Sequence, residues 1–197
     1  MDYKSSVEEY QKLLNSTSNR KKECLSFAHF LEEHTNWLTA PASTRFHLPQ
    51  KGGLLFHSVG VCKNLLRLKE LLAPTIPDDS CIISGLFHDV GKAGLPHKPL
   101  YHENTSENTR SFPFKVNKEL SSTAVAMRSA YLLARYLPLA PEELQAVLYH
   151  DGQYIPEGEF IAHQEEALTL LLHWADYWTA HIEEEGHPIR ISSYSES

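Results

Sequence analysis

The stretch "DDSCIISGLFHDVGK", residues 78–92, decides the fold. It opens on Asp78–Asp79–Ser80, short polar residues that suit a helix N-terminus and place negative charge at the positive end of the dipole. An apolar run follows. It then puts a histidine and an aspartate side by side, His88–Asp89, where an amphipathic helix should still be burying leucines. The helix is expected to run to about residue 91, where Gly91 can stop it. Two ionisable groups at the end of an apolar helix are either a solvated turn near the dipole or the holders of something.

The helical period continues on both sides, and almost nothing reads as strand. Residues 6–15 and 19–35 form amphipathic helices, the second with Cys24, Phe27, Ala28 and Leu31 on one face. An irregular connector with Pro41, Pro49 and Gly52–Gly53 leads into a helix over about 53–73, which Pro74 and Pro77 end. Residues 92–117 make a long polar connector, and loops of that length in compact domains are more often functional than idle. Further helices are expected over 118–137, from Pro141 to about Gly152, and over 164–185. Residues 153–163 form a second polar connector, and the tail "ISSYSES" is expected to fray. The chain therefore reads as one all-α bundle. Helices in 1–40 pack on a core spanning 41–185, with residues 186–197 as a tail.

Composition narrows the function classes. With 197 residues, 42% of them hydrophobic, the chain can bury one sizeable core. No window approaches 18 apolar residues, so no membrane span is expected, and the N-terminus lacks an apolar signal segment. Cys24, Cys62 and Cys81 are odd in number, widely spaced and without a C-x-x-C pair. They read as reduced thiols of a cytoplasmic protein. A formal net charge of −7 argues against sequence-independent binding to long nucleic acid. It leaves room for a small phosphorylated substrate, because a divalent ion can reverse the local field.

Four apolar helices carry embedded ionisable residues: His57 in "GGLLFHSVGV", His88 and Asp89 in "CIISGLFHDVG", His150 in "LQAVLYH", and Asp176 in "LTLLLHWADYW". A carboxylate among leucines and tryptophans must shift its pKa or find a partner. Convergence on one centre answers all four. Two imidazoles and two carboxylates without thiolate suit Mn²⁺, Fe²⁺, Ni²⁺, Co²⁺ or Mg²⁺ better than structural zinc. The plainer readings are a core histidine for His57, a tryptophan hydrogen-bond partner for Asp176, and a helix-end cap for His150. The tryptophans and leucines of 167–178 read as core, His173 as a surface residue, and Arg128 and Arg135 as a solvated face.

Taken together, "GGLLFHSVGV", "LFHDVGK" and "LLHWADYW" resemble, in order, the three ligand-bearing segments of the HD superfamily of metal-dependent phosphohydrolases. The resemblance covers roughly residues 41–180. It implies a helical bundle and a metal held by His57, His88, Asp89 and Asp176. It also implies hydrolysis of a phosphate ester in a nucleotide or a short nucleic-acid end, with Asp89 taking a proton from the attacking water. Lys92, which follows His88 by four residues, is then a catalytic and phosphate-stabilising candidate. "PASTRFHLPQKGGLLFHS" is similar to the approach segment of HD proteins akin to 3′–5′ exoribonucleases and relaxase-associated proteins, which sets His47 toward a phosphate. "LQAVLYHDGQY" looks like a segment of HD members, several phage-encoded, that ends a helix in histidine. Members with two metals carry a further histidine on the preceding helix. Here Ser121 and Ser122 stand there, so one ion is expected, a second is left open, and His150 is read as touching phosphate or a metal-bound water. The alternative is a metal-containing module of the same fold that senses a nucleotide without turning it over. Oligomeric state is not legible.

Overall fold

A computed structural model describes residues 3–45, 47–105 and 112–184, with Tyr154 in its backbone only. The fold is all-α. Helices α1 (Tyr3–Ser16), α2 (Lys21–His34), α3 (Gly53–Leu72) and α4 (Asp78–Phe87) make the first half. A 3₁₀ turn, Val90–Ala93, follows α4 and leads into a small antiparallel hairpin of β1 (Tyr101–Glu103) and β2 (Phe114–Val116), with Tyr101 opposite Val116. Then come α5 (Val125–Ala134), α6 (Pro141–Tyr149), a 3₁₀ turn at Gly152–Tyr154, the four-residue α7 (Pro156–Glu159) and α8 (Ala167–Trp178). The last helix runs on as a π-helix, Thr179–Glu184.

One cluster of buried side chains joins Tyr10 of α1 and Phe27 and Leu31 of α2 to Leu54, Leu55, Leu86, Phe87, Leu133 and Val147. Phe27 meets Phe87 edge to face, with ring centres 5.0 Å apart. A second cluster packs Leu168, Leu171, Leu172 and Ala175 of α8 against Val61 and Leu65 of α3, Cys81 of α4 and Ala146 of α6. Each fully buried leucine or phenylalanine contributes roughly 1.5–3 kcal/mol by leaving water. α3 and α4 lie especially close. A Cβ on Gly85 would come within 2.6 Å of the Cys62 Cα, so only glycine permits that approach. All three cysteines are free and buried. Among the described residues no helix is long and apolar enough to cross a membrane.

Several boundaries differ from those read in the sequence. α4 stops at Phe87, not near residue 91, and His88–Asp89 form the junction into the 3₁₀ turn. Gly91 does not end the helix. Its N–H donates to Ser129 Oγ at 2.9 Å and ties the turn to α5. Asp79 does not cap its own helix. Its carboxylate accepts from the backbone N–H groups of Ser18, Asn19 and Arg20 at 2.8, 2.9 and 3.1 Å, at the start of α2. α5 begins at Val125, and residues 118–124 before it run as turn, bend and irregular chain instead of helix. The 92–117 connector holds the β1–β2 hairpin, and residues 106–111 within it lie outside the described residues. So does the expected tail, 186–197.

The outward face of α8 is a further correction. Leu170, Trp174, Tyr177 and Trp178 are 37%, 48%, 47% and 45% exposed, so the tryptophans are not core. The helix is apolar nearly all round, and such a window does not say which face is buried. The smaller Ala175, with Leu168, Leu171 and Leu172, took the inner side.

Candidate metal centre

The residues that meet at the centre are held by helix ends. His88 is the C-cap of α4 and His150 the C-cap of α6. The last carbonyls of a helix lack intrahelical donors. His88 Nδ1 bonds the Gly85 carbonyl at 3.0 Å, and His150 Nδ1 bonds the Val147 carbonyl at 2.9 Å. A carbonyl only accepts, so Nδ1 carries the proton in both rings. The Nε2 of each is then turned inward, bare wherever the ring is neutral. His57, one turn into α3, follows the same rule with a different acceptor. Its Nδ1 lies 3.0 Å from Glu184 Oε1. Three rings from three helices thus present Nε2 to one space.

The aspartates complete it. Asp176 Oδ1 lies 3.0 Å from His57 Nε2 and 3.9 Å from His88 Nε2. Asp89 Oδ2 lies 3.8 Å from His57 Nε2 and 3.6 Å from His88 Nε2. Asp89 Oδ1 lies 3.7 Å from His150 Nε2. The 3.0 Å approach of His57 to Asp176 is not aligned as a hydrogen bond, and His57 Nε2 and His88 Nε2 are buried without a hydrogen-bond partner. Buried nitrogens of this kind are costly unless something binds them.

Three of the donor groupings fit a cation: His57, His88 and Asp176; His88, Asp89 and His150; and His150, Asp151 and Asp176. Within each, the donor atoms lie inside 4.8 Å of one another. An octahedral ion with bonds of about 2.1 Å sets neighbouring donors about 3 Å apart and opposite ones about 4.2 Å apart. The observed spacings of 3.0–3.9 Å fall within that range. The sequence candidates His57, His88, Asp89 and Asp176 are therefore brought together. His150 joins them through its edge-on ring contact with His88, centres 4.8 Å apart.

The side chains alone form a strongly coupled set. Burial opposes charging His57, yet Asp176 and Glu184 on either side raise its pKa to about 10. Burial likewise opposes His150, and Asp89 raises it to about 9. Burial lowers His88 to about 4 despite Asp89. Asp89 is well below the usual carboxylate range: burial works against this, while Lys92, His88 and His150 outweigh it. Asp176 moves the same way, with His57 overcoming burial. Burial would lower Lys92, but Asp89 raises it.

Lys92 Nζ sits 2.5 Å from Asp89 Oδ2, brought there by the 3₁₀ turn rather than by a continuing helix. Tyr101 of β1 stands in the field of both groups, its hydroxyl pKa raised chiefly by burial. His47 lies beside His57, ring centres 5.0 Å apart, and its Nε2 is buried without a partner. Burial, then the charges of His57 and Lys92, lower His47 to about 4. Ser121 and Ser122 are exposed.

Sequence reasoning missed three contributors. Glu184 sits in a polar run, "HIEEEG", that read as a helix end. His173 is not an idle surface residue: its Nδ1 donates to the His150 carbonyl at 2.7 Å and steadies that turn. Its signal was the i,i−3 spacing to Asp176. Arg128 is buried, not solvated, and donates to the carbonyls of Gly91, Ser121 and Thr123. It holds the turn that carries Asp89 and Lys92 through its two terminal nitrogens, while its Nε is buried without a hydrogen-bond partner. Compared with known protein families, curated proteins and solved structures, the chain matches none.

Proposed function

We propose that this protein is a metal-dependent phosphohydrolase of the HD type, acting on a phosphate ester of a nucleotide or a short nucleic-acid end. One observation carries the reading. Three histidines each give Nδ1 to an acceptor outside the centre and turn Nε2 inward toward two aspartates. Only a cation satisfies that arrangement without reprotonating it.

His57, His88, Asp89 and Asp176 would hold the ion. A divalent ion there acidifies water and polarises a phosphate ester. The donor set, nitrogen and carboxylate oxygen without sulfur, suits Mn²⁺, Fe²⁺, Ni²⁺, Co²⁺ or Mg²⁺. The other residues act on substrate. Asp89, kept ionised by Lys92, accepts a proton from an attacking water. Lys92 faces the charge that grows on phosphate oxygens. The buried Nε2 of His47 offers a donor to a phosphate from the α3 side. His150 offers another from the α6 side, or a ligand to a second ion. The β1–β2 hairpin, with Tyr101 next to Lys92, borders the centre and would bear on specificity.

The test is direct. Purified protein supplied with Mn²⁺ should hold about one ion per chain. It should release product from at least one member of a panel of mononucleotides, cyclic nucleotides and 3′-labelled oligonucleotides. Asp89→Ala should lose hydrolysis and most of the metal. Wild-type rates in Asp89→Ala would sink the assignment. Thermal stabilisation by a nucleotide, with no product from any panel member, would favour a sensing module instead.

A further inference from the structure

Glu184 lies eight residues beyond Asp176, and both carboxylates reach the same imidazole. Asp176 faces His57 Nε2 at 3.0 Å, and Glu184 faces Nδ1 at 3.0 Å. A regular α-helix cannot do this. At about 100° per residue, a position eight residues on lies about 80° around the axis from Asp176. The π-helix over Thr179–Glu184 takes up that excess, because each π turn holds more residues than an α turn.

The change of helix type is anchored. The Thr179 hydroxyl donates to the Ala175 carbonyl at 2.7 Å and accepts from Asn64 Nδ2 at 2.9 Å. Side-chain bonding to the i−4 carbonyl loosens a helix at that point. A Cβ on Gly60 would come within 2.8 Å of Thr179 Cγ2, so glycine lets the π segment close onto α3. His57, Gly60 and Asn64 fall at i, i+3 and i+7, one stripe of α3 aimed at the segment. The Glu184 side chain is fully buried, which would be costly for a carboxylate without a purpose.

We infer that Glu184, delivered by the π-helix, is a positioning residue that fixes the His57 tautomer and so makes the ring a metal ligand. The inference rests on the metal-centre reading above. Both neighbours are carboxylates and only accept, but the Glu184 contact alone is aligned as a hydrogen bond, so the neutral ring keeps its proton on Nδ1. Its Nε2 lone pair then confronts Asp176 Oδ1, and a cation between them relieves the repulsion. Without Glu184 the proton can move to Nε2 and be donated to Asp176. The two ligands would then satisfy each other and close the site. Outer carboxylates on metal-bound histidines are worth about 10–100-fold in metal affinity.

The test uses the full chain with Mn²⁺ alone, measuring affinity by calorimetry, and the same chain loaded with diamagnetic Zn²⁺ for imidazole NMR. The parent should show a deshielded His57 Nδ1–H resonance protected from solvent. Glu184→Ala should lose that resonance and bind Mn²⁺ about 10–100-fold more weakly. Glu184→Gln keeps the shape and an accepting oxygen. It should fall between, with an unfolding temperature near that of the parent when both are metal-free. If both variants bind Mn²⁺ within twofold of the parent and keep the resonance, the inference is overturned while the metal reading stands. A parent that takes up no divalent ion overturns the metal reading, and this inference with it.

Discussion

At the scale of single residues, the centre works by disposing of protons. Each histidine has an acceptor for Nδ1 that is not a ligand: Gly85 for His88, Val147 for His150, Glu184 for His57. The inward residues His57, His88, Asp89 and Asp176 could be picked out in the sequence because each is ionisable within apolar helix. The outer residues could not. Two of the acceptors are backbone carbonyls, which every residue has, and Glu184 is one of several acids in a polar run. Lys92 yields a sharp prediction. Its ammonium lies against Asp89 and repels any nearby cation, so Lys92→Met should bind Mn²⁺ at least as tightly as the parent. Hydrolysis should fall about 10²–10³-fold, since a charge-stabilising donor is gone. Calorimetry beside product assays separates the two effects. Parallel loss of metal and rate would mark Lys92 as a structural support only.

At the scale of elements, one local device is used twice: a histidine at a helix C-terminus that caps with one nitrogen and offers the other. The plain reading of His150 as a cap therefore holds, and the same ring still turns its other nitrogen toward Asp89. Helix existence was legible from apolar periodicity, but ends were not, because tertiary partners set them. α4 stops early where His88 turns back to Gly85, and α5 starts late. The onset of the π-helix depends on Asn64 and Thr179, 115 residues apart in sequence. Asp79 shows the same effect on stability. Read as a cap for α4, it instead holds the entry to α2 through three backbone N–H groups. Charge-assisted bonds of this kind are worth about 1.5–3 kcal/mol each at most, so Asp79→Ala should cost roughly 2–4 kcal/mol of unfolding free energy. Burial opposes ionisation, but the Ser18, Arg20 and Asn19 N–H groups outweigh it and lower the Asp79 pKa. A lowered carboxylate pKa stabilises the fold above the unfolded value, near 3.9. That stability is lost as pH falls through the folded value. Denaturant melts of parent and Asp79→Ala should therefore differ most near neutral pH and converge in acid.

At the scale of the whole molecule, the centre ties together helices that the two apolar clusters hold only in part. His57 comes from α3, His88 and Asp89 from the end of α4, His150 from α6 and Asp176 from α8. The first apolar cluster gathers α1 to α6, and the second gathers α8 against α3, α4 and α6. The ligand set crosses between them. An ion that binds only the folded chain should therefore stabilise the whole bundle, by about 2.7 kcal/mol at 100-fold excess over Kd. For a chain of this size, that raises Tm by about 5–10 °C. The gain should depend on pH in a set direction. His57 and His150, raised to about 10 and about 9 in the side-chain set alone, hold protons that an ion must displace. Affinity therefore falls as pH drops, by up to tenfold per unit for each proton released. Scanning calorimetry with and without Mn²⁺ at pH 8 and pH 6 should show a large shift at the first and a small one at the second. EDTA should reverse both, and His88→Ala should abolish them. An equal shift at both pH values would mean the ion binds elsewhere, at groups already free of protons.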